Sequence, residues 1–109
     1  MDEKLRLSNA WWDLRVDGTV EREQRQALHQ ELLIEVAAGH PLHRRPVIAV
    51  AKSEASDDIV VHLPTTGEWA RVHLTWKRAA ETPPWPKTEF YETVEDLERT
   101  LTSRTEPKG

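Results

Sequence analysis

The stretch DDIVVHLPTTGEWARVHLTW, residues 57 to 76, constrains the fold more than any other part of the chain. Ile59, Val61 and Leu63 alternate with Asp58, Val60 and His62, and Ala70, Val72, Leu74 and Trp76 alternate with Trp69, Arg71, His73 and Thr75. Period-two alternation is a strand pattern, and two such runs round Thr65-Thr66-Gly67 read as an antiparallel hairpin. With Leu63 opposite Glu68, His62 faces Trp69, Val60 faces Arg71 and Asp58 faces His73. Side chains alternate across a sheet, so those six residues share one face, while Ile59, Val61, Val72 and Leu74 form the expected core face.

The flanking segments supply the remaining elements. Leu7, Trp11 and Leu14 fall at offsets of four and three, with Leu5 and Trp12 widening the stripe, which predicts a helix from Lys4 to Leu14. A competing strand runs through Trp12, Leu14 and Val16, which alternate before Asp17-Gly18. Thr19 is positioned to cap a second helix, with Glu21 and Glu23 near its positive dipole end. Leu28, Leu32 and Val36 give that helix an apolar stripe, and Gly39 with Pro41 ends it after about Ala38. VIAVA, after Pro46, reads as a further strand. ETPPWP interrupts regular structure, with Trp85 expected to lock the loop onto the domain. Thr93 and Asp96 make a capping-box-like start for a last helix carrying Val94, Leu97 and Leu101.

The expected fold class is therefore α+β: two N-terminal helices, a three-stranded antiparallel sheet covered on one face, and a C-terminal helix. Residues 1–102 read as a single domain and residues 103–109 as a flexible polar tail. The N-terminus has acids directly after Met1 and no apolar run, unlike a signal peptide, and no segment reaches transmembrane length. Cysteine is absent, which removes disulfides and thiol chemistry and suits a reducing cytoplasm. The net charge of −4 is dispersed, with basic residues scattered among acids, so no basic face for nucleic acid is evident. The glycines stand apart at positions 18, 39, 67 and 109, leaving no phosphate-binding loop.

Three groups of residues carry candidate chemistry. Asp58 beside His73 can fix the imidazole tautomer and raise its basicity, with Arg71 as an anion clamp, a minimal acid–base site for a small hydrolase or lyase. No serine or cysteine nucleophile joins it, and Thr75 on the same face lacks activation. A cross-strand ion pair on a solvated face explains the same residues. His40 and His43 are weak metal candidates because their proline-interrupted loop gives no fixed geometry, and Glu35 or His29 would have to supply a third ligand. No cofactor is expected. Trp69, with Arg71 and His62, has the composition of a protein-binding hot spot if the face is open; a helix or the proline loop covering it is the alternative.

HPLHRRPVIAVA, SDDIVVHL, VHLTW and WPKTEFY together resemble a family of small bacterial proteins, over about residues 26 to 97. The resemblance implies a bacterial, cytoplasmic, stand-alone domain and lends no activity, cofactor or site residue. The leading expectation is a small acidic, non-catalytic protein-binding module, a neutraliser or regulator of a partner protein, acting through the sheet face. An Asp58–His73–Arg71 enzyme and a homodimer burying that face are the alternatives.

Overall fold

The computed structural model describes residues 5, 7, 10–83 and 85–103. In chain order the elements are β1 (Trp11–Asp13), α1 (Thr19–Glu35), β2 (Ile48–Ser53), β3 (Asp58–Leu63), β4 (Glu68–His73), β5 (Lys87–Tyr91) and α2 (Val94–Ser103). The strands form one five-stranded sheet in the order β1-β2-β3-β4-β5, each neighbour antiparallel. The predicted pair of N-terminal helices with a three-stranded sheet is therefore incorrect.

Two elements account for the difference. Residues 11–13 are a strand, not part of a helix: Trp11 pairs with Ser53 and Trp12 with Lys52. The tryptophans consequently point to opposite faces, Trp11 into one core cluster and Trp12 against the other. A helical stripe would have used only one of them well. The second is β5, in which Lys87, Glu89 and Tyr91 pair with His73, Arg71 and Trp69, while Thr88 and Phe90 pair with Val72 and Ala70. Three polar residues in five conceal the alternation.

The hairpin register is the one derived from the alternation, with Asp58 opposite His73, Val60 opposite Arg71 and His62 opposite Trp69. Gly67, at φ 81°, supplies the left-handed turn position. What the alternation did not reveal is that both faces are covered. Ile59, Val61, Ala70 and Val72 pack with Leu28 and Leu32 of α1, whereas Val60 and Trp69 pack with Leu97 and Leu101 of α2, together with Leu5 and Trp11. A bulge between Ala49 and Ala51 breaks the β2–β3 register, and Val50 and Ala51 both join the second cluster.

The helices begin on different devices. α1 has Gly18 rather than Thr19 at its N-cap and no side-chain cap bond, and it ends at Glu35. Arg25 instead ties its first half to the β1 end by donating to the carbonyls of Leu14 and Val16. α2 uses the predicted cap, with the Asp96 amide donating to Thr93 Oγ1 at 3.1 Å. Residues 104–109, most of the expected tail, and part of the expected first helix lie outside the described residues. Among the described residues, no helix is long and apolar enough to cross a membrane.

If α2 closes one face of the sheet, Leu97, fully buried, carries much of that contact. Leu97→Ala should lower the unfolding free energy by about 2–5 kcal/mol in urea denaturation. A loss below about 1 kcal/mol would show that α2 is not seated on the sheet.

Candidate functional site

The two-sided burial reshapes the face expected to be open. Trp69 is only 5% exposed, stacked at 4.4 Å between ring centroids with half-buried His62 and packed beneath α2. The covered alternative for Trp69 is the one observed. Along β4 the same face then changes character: Trp69 is buried, Arg71 is buried but charged, and His73 at the strand end is exposed. A helix of 10 residues is about 15 Å long, and α2 lies against β4 and β5, leaving the far end of that face open.

At that open end lies a cavity of about 470 Å³ lined by Asp58, Arg71, His73, Trp85, Lys87, Thr88 and Glu89. Its centre is a three-residue chain of charge. The Asp58 carboxylate accepts from Arg71 Nε at 2.8 Å and from Arg71 Nη2 at 2.6 Å on Oδ2, while His73 Nδ1 lies 2.6 Å from Oδ1. Burial pushes the Asp58 carboxyl up, but the hydrogen bonds from His73 and Arg71 and their charges outweigh it and hold it below its ordinary value. An ionised carboxylate only accepts, so Nδ1 carries the hydrogen and a neutral His73 presents a lone pair at Nε2. The His73 side chain is half exposed, at 51%, against 10% for Asp58. The imidazole is thus oriented from behind and open in front.

Arg71 is not placed as the expected anion clamp. Its guanidinium is engaged by Asp58 and lies 5.0 Å from the centroid of the Trp11 ring. Its Nη1 is buried and has no hydrogen-bond partner. The exposed cation at the cavity is Lys87, directly across the strand pair from His73, with Nζ 5.5 Å from the Trp85 ring centroid. Trp85 is 41% exposed and forms part of the cavity wall instead of locking the loop onto the core. Glu89, opposite Arg71, accepts the Tyr91 hydroxyl at 2.6 Å. Sequence reasoning missed Lys87, Thr88 and Glu89 because it missed β5; the signal that remained was Phe90-Tyr91 after Pro86, aromatic residues favoured in strands.

The other candidates lie apart. His40 is buried, its Nδ1 accepting the Leu42 amide at 3.0 Å and its Nε2 donating to the Pro86 carbonyl at 2.8 Å, so it fastens the 39–45 connector to the start of β5. Both ring nitrogens are engaged. His43 is half-buried, and among the described residues no group of three or more His, Asp or Glu side chains is placed to hold a metal. Thr75 donates its hydroxyl to Glu81, away from the Asp58–His73 pair. No family model matches the chain, and comparison with curated proteins and with solved structures finds no match either.

Asp58→Asn would leave the buried Arg71 charge without its counter-ion, an arrangement that costs about 3–5 kcal/mol. Urea denaturation at neutral pH should show a loss of that size. In the wild type, the lowered carboxyl stabilises the fold above its ordinary value of 3.8, and that contribution disappears as pH falls through the lower folded value. Asp58→Asn should flatten this acid limb; an unchanged limb would assign it to other carboxylates.

Proposed function

We propose that this chain is a small acid–base enzyme of the hydrolase or lyase class that takes a small anionic substrate in the Asp58–His73 cavity. One observation carries the reading: His73 is held at Nδ1 by a buried, charge-fixed carboxylate and lines a cavity of about 470 Å³. In this role His73 Nε2 accepts a proton from water or from an acidic C–H of the substrate. Asp58 holds the ring and stabilises the imidazolium that results. Lys87 attracts the substrate's negative group, and Trp85 offers an apolar wall beside it. Arg71 acts one step back, keeping Asp58 ionised.

The test begins with binding. NMR titration with acetate, benzoate and inorganic phosphate should shift resonances of His73, Lys87 and Trp85 together. Lys87→Ala should weaken the effect about tenfold, about 1.4 kcal/mol. Against a panel of small carboxylate and phosphate esters and hydroxy acids, any turnover should fall about 10²- to 10⁴-fold in His73→Asn. Shifts scattered over the surface, or turnover that survives His73→Asn, would end this proposal.

A protein-binding role is the second reading, and its support now comes from another surface. Leu33 and Ile34, on the outer side of α1, are 60% and 42% exposed, apolar surface of the kind that marks interaction sites. The acidic balance of the chain, a net charge of −4, suits a basic partner, and the lack of cysteine supports a cytoplasmic setting. Light scattering of wild type and Ile34→Glu at several concentrations separates self-association from a foreign partner. A dimer dissociated by the substitution supports self-association, whereas a monomer in both assigns the patch to another protein or to neither.

A further inference from the structure

Two carboxylates on the sheet-facing side of α1 are buried without a counter-ion among the described residues. Glu35 is fully buried and Glu31 is 4% exposed; one helical turn apart, they lie on the same stripe. What they hold is backbone. The Thr75 amide donates to both Glu35 carboxylate oxygens at 3.0 and 3.1 Å, the Trp76 amide to Glu35 Oε2 at 2.8 Å, and the Arg78 amide to Glu31 Oε2 at 3.2 Å. Trp76 and Arg78 have left-handed φ of 58° and 60°, a conformation costly for residues with a Cβ and sustained only where surrounding contacts enforce it. The two glutamates supply those contacts.

The charged groups facing the pair come from this same loop. Glu81 takes the Thr75 hydroxyl at 2.7 Å and lies 3.9 Å from Lys77 Nζ, while its amide donates to the Glu35 carbonyl at 3.0 Å. Lys77 and Arg78 are exposed, and Arg78 meets Glu31 through its backbone amide. Among the described residues no ion pair to either glutamate is found, so two buried like charges face each other unless one is protonated. Burial first, and then the neighbouring Glu31 carboxyl, push Glu35 up to about 7, against the pull of the Thr75 and Trp76 amides. A carboxyl raised in the fold contributes stability that is complete below its ordinary value of 4.5 and lost as pH rises toward 7. The loop is therefore best held on the acid side of neutrality.

We propose that Glu31 and Glu35 share one proton when the loop is closed and that losing it frees the 75–78 backbone, making the pair a proton-operated latch. The latch controls the segment that leads from β4 to Trp85 and Lys87, two residues of the Asp58 cavity wall. It does not depend on what that cavity binds. Above neutrality Glu35 takes up its charge beside the Glu31 carboxyl, the crowding of the pair pulls against the amide bonds, and the cavity wall loosens.

Amide hydrogen exchange followed by NMR tests this on the intact chain. From about pH 5.5 to about pH 8.5 the protection factors of Thr75, Trp76 and Arg78 should fall by about tenfold or more relative to Val61 in β3. In Glu31→Gln the like charge is gone while the burial of Glu35 remains, so the relative fall should shrink, and the three amides should stay closer to Val61 across the range than in the wild type. The proposal is overturned if the three amides follow Val61 throughout in the wild type, or if the fall is undiminished in Glu31→Gln. Should that variant not fold, the carboxyl carbon titration of Glu35 in the wild type decides alone: a midpoint near neutrality supports the shared proton, and a midpoint in the ordinary carboxylate range refutes it.

Discussion

The β3–β4 hairpin buries both of its faces, and the rest of the molecule is arranged around satisfying that demand. A hairpin by itself has no core, and a sheet with one wet face needs only one covering layer. Here the face carrying Ile59, Val61, Ala70 and Val72 is closed by α1, and the face carrying Val60 and Trp69 by α2 and Leu5. β1 and β5 become the sheet's outer strands, each contributing side chains to both clusters. Four of the five tryptophans fit this plan, Trp12 and Trp76 against the first cluster and Trp11 and Trp69 in the second, since two covering layers over one small sheet require large side chains to fill two cores from few residues.

Placing an arginine in the second core has an energetic consequence. Arg71 is 7% exposed, and a buried guanidinium is tolerated only with a counter-ion and donors largely satisfied. Asp58 meets the first need, and the face of Trp11 lies beneath the group as a weaker electrostatic partner. With Asp58 committed to Arg71 through Oδ2, its other oxygen remains for His73. The hydrogen bond that orients the imidazole thus follows from a structural ion pair. The structural network and the candidate site share the same residues, because the inner half of the cluster fixes the outer half.

The parts legible in the sequence are those where one local pattern decides the outcome. Alternation gave the hairpin register to the residue, and with it the meeting of Asp58 and His73. Thr93 announced α2 because a cap depends only on its immediate neighbours. Residues 11–13 were ambiguous because leucines and tryptophans at Leu7, Trp11 and Leu14 satisfy helical spacing, while the deciding contact, pairing with Ala51, Lys52 and Ser53, is distant in the chain. β5 was hidden for a similar reason: its charged positions line the cavity and form no amphipathic contrast. The exposure of the site was not legible at all, since whether Trp69 sees solvent depends on α2, which begins 25 residues later.

The loop from Thr75 to Pro86 joins these two levels of organisation. It leaves β4 at the site's histidine, is held by carboxylates of α1 under the opposite face, and returns through Trp85 into β5 beside Lys87. His40 fastens its far end through the Pro86 carbonyl. The loop that carries Trp85 is therefore suspended between two buried anchors, Glu35 and His40, while the rest of the cavity lining is paired strand. Asp58, Arg71 and His73, by contrast, sit on β3 and β4 in a register fixed by burial on both faces, so the loop is the part of the cavity's surroundings that depends on side-chain anchors and not on strand pairing.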